Sequence, residues 1–167
     1  MRKTLLGLAV VALSTASACT RHAGPQEACA LLPKSVAESV LQVELGAARS
    51  QRFGENPRQV VISNCQYVAT KPEPLRSLTF TIRAGGVPDS SVGPAEGLIS
   101  TMKQTFGQRY DLKKLSGLGN GAVWDPSLHQ LTVFAGTSTY VWAAPGATVP
   151  NLEDKLVTLA KRTIARS

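Results

Sequence analysis

The stretch Ala122-Val123-Trp124-Asp125-Pro126-Ser127-Leu128-His129-Gln130-Leu131-Thr132-Val133-Phe134-Ala135-Gly136-Thr137-Ser138-Thr139-Tyr140-Val141-Trp142-Ala143-Ala144 decides the fold class. Apolar, β-branched and aromatic residues fill three runs, 122–124, 130–135 and 139–144. Asp125-Pro126-Ser127 and Gly136-Thr137 separate them with turn formers. Strands joined by connections this short pair antiparallel, because a parallel crossover needs a dozen or more residues. In the third run Tyr140 and Trp142 share one face, and Val141 and Ala143 share the other. Together with Trp124 the two aromatics make a candidate ligand or partner surface, the floor of an apolar pocket. The competing reading packs the aromatic face under a helix and leaves the smaller face to solvent or loops.

Upstream, Leu78-Thr79-Phe80-Thr81-Ile82-Arg83 alternates cleanly, with Leu78, Phe80 and Ile82 pointing one way, as in a half-buried strand. Val60-Val61-Ile62 and Cys65-Gln66-Tyr67-Val68 are strand-like, as one bent strand or two. Helical patterns flank these runs. Ser35 followed by Glu38 reads as a capping box, and Val36, Val40, Leu41 and Leu45 recur at helical spacing up to Gly46. The spacing predicts a helix over 35–45 and a loop over 46–57. Pro94 opens a second helix with Leu98, Ile99, Met102 and Phe106 as its apolar stripe, closed by Gly107. Asn151 is expected to cap a third, with Leu152, Leu156, Leu159, Ala160 and Ile164 on one face and Lys161, Arg162 and Arg166 near its end. The expected fold is therefore α+β, an antiparallel sheet with helices packed on one face. The order helix-strands, helix-strands, helix suggests two halves, although their sequences show no similarity that would argue for duplication.

The first residues form an address. Arg2 and Lys3 precede the uncharged apolar run 5–13, and small residues lead to Cys19. These are the three parts of a secretory signal. The run is too short to span a bilayer, which takes about 20 residues. Ala16-Ser17-Ala18 fits ordinary secretion, giving a soluble periplasmic or secreted protein. Ala16-Ser17-Ala18-Cys19 also resembles a lipoprotein processing box, with Ala16 where Leu or Val is usual. On that reading residues 1–18 are removed, Cys19 is acylated, 19–28 is a tether and 29–167 is one α+β envelope domain. Without an Asp at residue 20, sorting to the outer membrane is expected in a Gram-negative host. The net charge of +7 stays positive after loss of Arg2 and Lys3 and suits an anionic membrane surface. Nucleic acid is not an expected partner, since the address is outside the cytoplasm and no binding motif is present.

Three cysteines in an exported chain leave one to explain. Acylation of Cys19 accounts for it and frees Cys29 and Cys65 to pair, closing a loop of about 36 residues worth roughly 4 kcal/mol. Pairing Cys19 with Cys29 would instead leave Cys65 as a thiol beside a strand. The cysteines and the two distant histidines lack zinc-ligand spacing, so no metal or cofactor is expected.

Cys29-Ala30-Leu31-Leu32-Pro33-Lys34-Ser35 before a short helix, followed by Asn64-Cys65-Gln66-Tyr67, resembles a group of small bacterial lipoproteins with a "Cys-x-Leu-Leu, helix, Cys-x-Tyr" pattern. Gly117-Leu118-Gly119-Asn120-Gly121-Ala122-Val123-Trp124 is similar to their "Gly-x-Gly-Asp-x-Ala-aromatic" turn, with Asn120 in the Asp position. The resemblance spans most of the domain and implies an architecture and an address, with no established activity and no catalytic residues.

Catalytic patterns are thin. His22 lies in the tether and His129 in a turn, and no nucleophile elbow accompanies them. Glu153-Asp154 sit in the first turn of the last helix, where negative charge offsets the dipole. The glycines of 117–121 precede a strand, whereas a phosphate loop follows one. Lys103, Arg109, Lys113 and Lys114 cluster around the second helix, as a solvated face or a contact with anionic lipid or a partner. The sequence thus points to a non-enzymatic envelope lipoprotein that binds an envelope protein or a small apolar ligand. The alternative is an immunity or inhibitor lipoprotein acting against a toxin or cell-wall hydrolase. Replacing Cys19 with Ser is expected to move the protein from the membrane fraction to the soluble fraction; retention in membranes would refute the anchor.

Overall fold

The computed structural model describes residues 27–54, 60–85 and 93–166. The signal segment, Cys19, His22 and the tether up to residue 26 lie outside them. The elements are α1 (Ala28–Leu31), α2 (Lys34–Leu41), β1 (Arg49–Phe53), β2 (Val61–Val68), β3 (Ser77–Ala84), α3 (Pro94–Phe106), β4 (Lys113–Leu115), β5 (Gly121–Asp125), β6 (Gln130–Ala135), β7 (Ser138–Ala143) and α4 (Leu152–Ile164). All seven strands form one sheet in the order β1-β2-β3-β7-β6-β5-β4, and every pairing is antiparallel. The fold is α+β.

Two meanders, β1-β2-β3 and β4-β5-β6-β7, join where β3 pairs with β7. At that seam Phe80 faces Trp142 and Ile82 faces Tyr140. Cross-strand partners share a face, so these side chains lie on one side of the sheet with Cys65, Tyr67, Leu131 and Trp124. There they meet α1, α2 and α4 in the main core, together with Leu32, Leu41, Leu156 and Leu159. The helices are not confined to that face. α3 crosses the opposite one, where Ala95, Val123 and Phe134 form a small second cluster. The helix preceding each meander thus covers a different side of the sheet, so the two halves differ in layout.

Several local expectations change. α2 ends at Leu41, because Gln42 turns left-handed (φ 59°) and returns its N–H to the Glu38 carbonyl. Gly46 instead donates its N–H to Val68 beyond the helix. The capping box does not form: Pro33 is the N-cap, and Glu38 pairs with Lys34 at 3.5 Å and accepts the Leu45 N–H at 2.9 Å. Asn151 precedes α4 in a left-handed conformation without a side-chain cap. Within the segment expected to be a loop lies β1, whose residues are all exposed and which is held by backbone pairing with β2. Val61–Val68 is a single strand.

The Gly117–Gly121 turn folds against the β6–β7 hairpin. The Asn120 N–H bonds the Phe134 carbonyl at 2.6 Å, and its side chain accepts the Gly136 N–H at 3.1 Å. Gly119 has φ 51°, and a Cβ there would strike the Phe134 carbonyl, so only glycine fits.

A disulfide joins Cys29 of α1 to Cys65 of β2, with Cα atoms 5.0 Å apart. Around it the Ala28 N–H bonds the Ser63 hydroxyl at 2.9 Å, and the Tyr67 hydroxyl donates to the Leu32 carbonyl at 2.6 Å. A four-residue helix is marginal alone, and these three ties hold α1 to the sheet. Changing Cys29 and Cys65 together to Ala is expected to lower unfolding free energy by about 4 kcal/mol, from the entropy of the closed loop. Chemical denaturation of both proteins checks this.

Candidate functional site

Tyr140, Trp142 and Trp124, taken from the sequence as a ligand or partner surface, belong to the core. Trp142 is 0% exposed, and Tyr140 and Trp124 are 7% each. The Phe80 and Trp142 rings stack with centroids 4.8 Å apart. The bulk that would have floored a pocket is what the helices bury, and the reading with the aromatic face under a helix is the one seen. The indole N–H of Trp142 is buried without a hydrogen-bond partner.

The open space lies on the other face. There the sheet presents Val123, Thr132, Phe134, Thr139 and Val141, all of them alternating with core residues. α3 runs over this face and contributes Pro94, Gly97, Leu98, Thr101 and Met102. Between helix and sheet lies a cavity of about 570 Å³, within the range of small-ligand sites. Only Ala95 of α3 is fully buried. Phe106, expected in the apolar stripe, is 62% exposed and stacks on Tyr110.

Gly97 deepens the groove. A Cβ placed on it meets nothing within 4 Å. Glycine inside a helix costs about 1 kcal/mol relative to alanine, and here no close backbone approach requires it.

Charged groups mark the two ends. Arg83, Thr139, Phe134 and Gly121 lie in one row across the strands. Gln130 and Asp125 lie in another, four residues along, or about 13 Å away. Ala95 sits against Gly121, so the amino end of α3 is at the Arg83 row. Arg83 is exposed and has no ion-pair partner among the described residues. Asp125 is fully engaged. Its Oδ2 accepts the Tyr110 hydroxyl at 2.6 Å, and its Oδ1 accepts the Ser127 N–H, the Ser127 hydroxyl and the Leu128 N–H. Burial pushes this carboxyl upward, but the four donors outweigh it and hold it below the usual carboxylate range. The same bond raises the Tyr110 hydroxyl above its ordinary value.

The basic cluster divides. Lys113 pairs with Glu153 of α4 at 2.6 Å, while the next residue, Lys114, pairs with Glu96 of α3. Alternation along β4 thus ties the sheet edge to helices on opposite faces. Lys103 and Arg109 have no ion-pair partner among the described residues. His129, expected exposed in a turn, is half-buried and stacks flat on Trp124. It lines a shallow depression with Lys113, Glu153 and Asp154, away from the groove.

No group of metal-binding side chains occurs among the described residues, and no described helix is long and apolar enough to cross a membrane. No family model matches the chain, and neither curated proteins nor solved structures yield a match.

The groove has no signature in the sequence because its lining comes from several separated segments and reads as ordinary strand and helix residues; the one local signal is a glycine inside a helical pattern. Gly97→Ala is expected to raise unfolding free energy by about 0.5–1 kcal/mol, read by urea denaturation. A loss of stability would show that Gly97 is there for packing.

Proposed function

We propose that this chain is an exported envelope lipoprotein, held to the membrane through Cys19, whose domain binds a ligand or partner in the groove between α3 and the sheet without catalysing a reaction. The address rests on the signal pattern and the cysteine arithmetic. The disulfide supports it, since such bonds persist in oxidising compartments. The resemblance to small bacterial lipoproteins points the same way.

The observation that carries the binding reading is Gly97. A residue that costs helix stability faces a cavity whose walls are mostly apolar. Stability forgone beside a cavity is what a retained binding site produces. The binding role is favoured over a catalytic one by how the titratable groups are used. Asp125 is ionised and spent on four internal donors, which suits a structural brace more than a general acid. His129 stacks on a core-face tryptophan away from the groove.

Titration with the fluorescent apolar probe 1-anilinonaphthalene-8-sulfonate tests the site. The native chain is expected to bind it. Gly97→Phe, which fills the space beside α3, is expected to weaken binding at least tenfold while the far-ultraviolet circular dichroism stays native. Equal binding by the two proteins would show that the groove is not the site.

A further inference from the structure

We infer that the ligand of this groove is an amphiphile with one anionic end, a medium-chain carboxylate, seated with its head at Arg83 and its alkyl chain along the sheet under α3. This rests on the groove being a binding site, and three features of the groove specify the ligand class.

The first is charge. Arg83 is exposed and lines the groove on β3, three strands across from Gly121, over which α3 begins. Its guanidinium has no acidic partner among the described residues. A guanidinium fork matches a carboxylate in two parallel hydrogen bonds. Glu96, in the first turn of α3, is already occupied by Lys114.

The second is the far end. Asp125 would repel a second anionic group, and its acceptor sites are filled by Tyr110, Ser127 and Leu128. The groove therefore takes one anionic head, at Arg83, and an uncharged tail toward the row of Gln130 and Asp125. Measured along the strands the two rows are about 13 Å apart, so a chain of the length of decanoate, laid parallel to the strands from Arg83, ends at the row that holds Gln130 and, further across, Asp125.

The third is the floor. It consists of side chains from the middle of a fully paired sheet, with Val141, Thr132 and Val123 in the central row. No strand edge opens into it. An extended peptide would find no ladder for its backbone and would leave N–H and C=O groups unpaired against apolar walls, which is costly. An alkyl chain has no such groups to satisfy.

Isothermal titration of the Cys19→Ser chain, which carries no acyl group of its own, with decanoate, decanol and decyltrimethylammonium separates the alternatives. Decanoate is expected to bind at least tenfold more tightly than the other two. Arg83→Gln is expected to bring decanoate down to the level of decanol and leave decanol unchanged. Since Arg83 is exposed, that variant keeps the fold. Gly97→Phe is expected to abolish binding of all three. If decanol binds as well as decanoate, or Arg83→Gln leaves the preference intact, the head assignment is wrong while the groove stands. If none of the three binds, or Gly97→Phe changes nothing, the groove reading fails and the ligand assignment with it.

Discussion

The pairing of β3 with β7 holds the molecule together. The two meanders are separated in sequence by α3, and among the described residues β3 with β7 is the only pair of strands through which they share a sheet. The pairing is long, from Thr79 opposite Ala143 to Ala84 opposite Ser138. It places Phe80 against Trp142 on the core side, where stacked rings add about 0.5–1.5 kcal/mol beyond the area they bury. The groove depends on the same seam. Thr139 and Val141 of β7 and Arg83 of β3 reach its lining because these strands are neighbours.

The two faces of that seam behave differently because strand side chains alternate. On one face the residues are large, and α1, α2 and α4 enclose them. On the other most are short, Phe134 and Arg83 apart, and α3 lies across them with little to interlock. Short side chains below and a glycine above leave space that a packed interior would fill. Lys113 and Lys114 reach from one edge strand to helices on both faces. Exposed pairs of this kind add at most about 1 kcal/mol each; what they do is fix the layers relative to the edge of the sheet.

Much of the architecture was legible because burial leaves a pattern. β3, β6 and β7 alternate or run apolar between clear turns, and all were readable. β1 and β4 were not, since Arg49–Phe53 and Lys113–Leu115 sit at the sheet edges and owe their strand conformation to backbone bonds with a neighbour. α1 is too short to show a period. The caps at Ser35 and Asn151 failed for separate reasons: Glu38 found Lys34 and the Leu45 N–H, and Asn151 is left-handed where a capping side chain acts from an extended backbone. Tyr140 and Trp142 suggest a pocket floor by their size, and size is also what drives a side chain into the core.

By itself the sequence determined the class of fold, the position of most elements and the two faces of each half-buried strand, because alternation, turn residues and helical spacing are local. It also set out the three cysteines and the basic, apolar and small-residue pattern of the first residues. Which face each helix covers was decided by the tertiary structure alone. Nothing in Pro94–Phe106 states that it will cross the sheet opposite the other helices; the strand order requires the β3–β4 connection to cross the β7-β6-β5 block, and the face already covered by α1, α2 and α4 leaves it the other. The groove arises from that placement. A space between elements has no sequence of its own, and it appears only when the long-range pairing of β3 with β7 has brought its walls together.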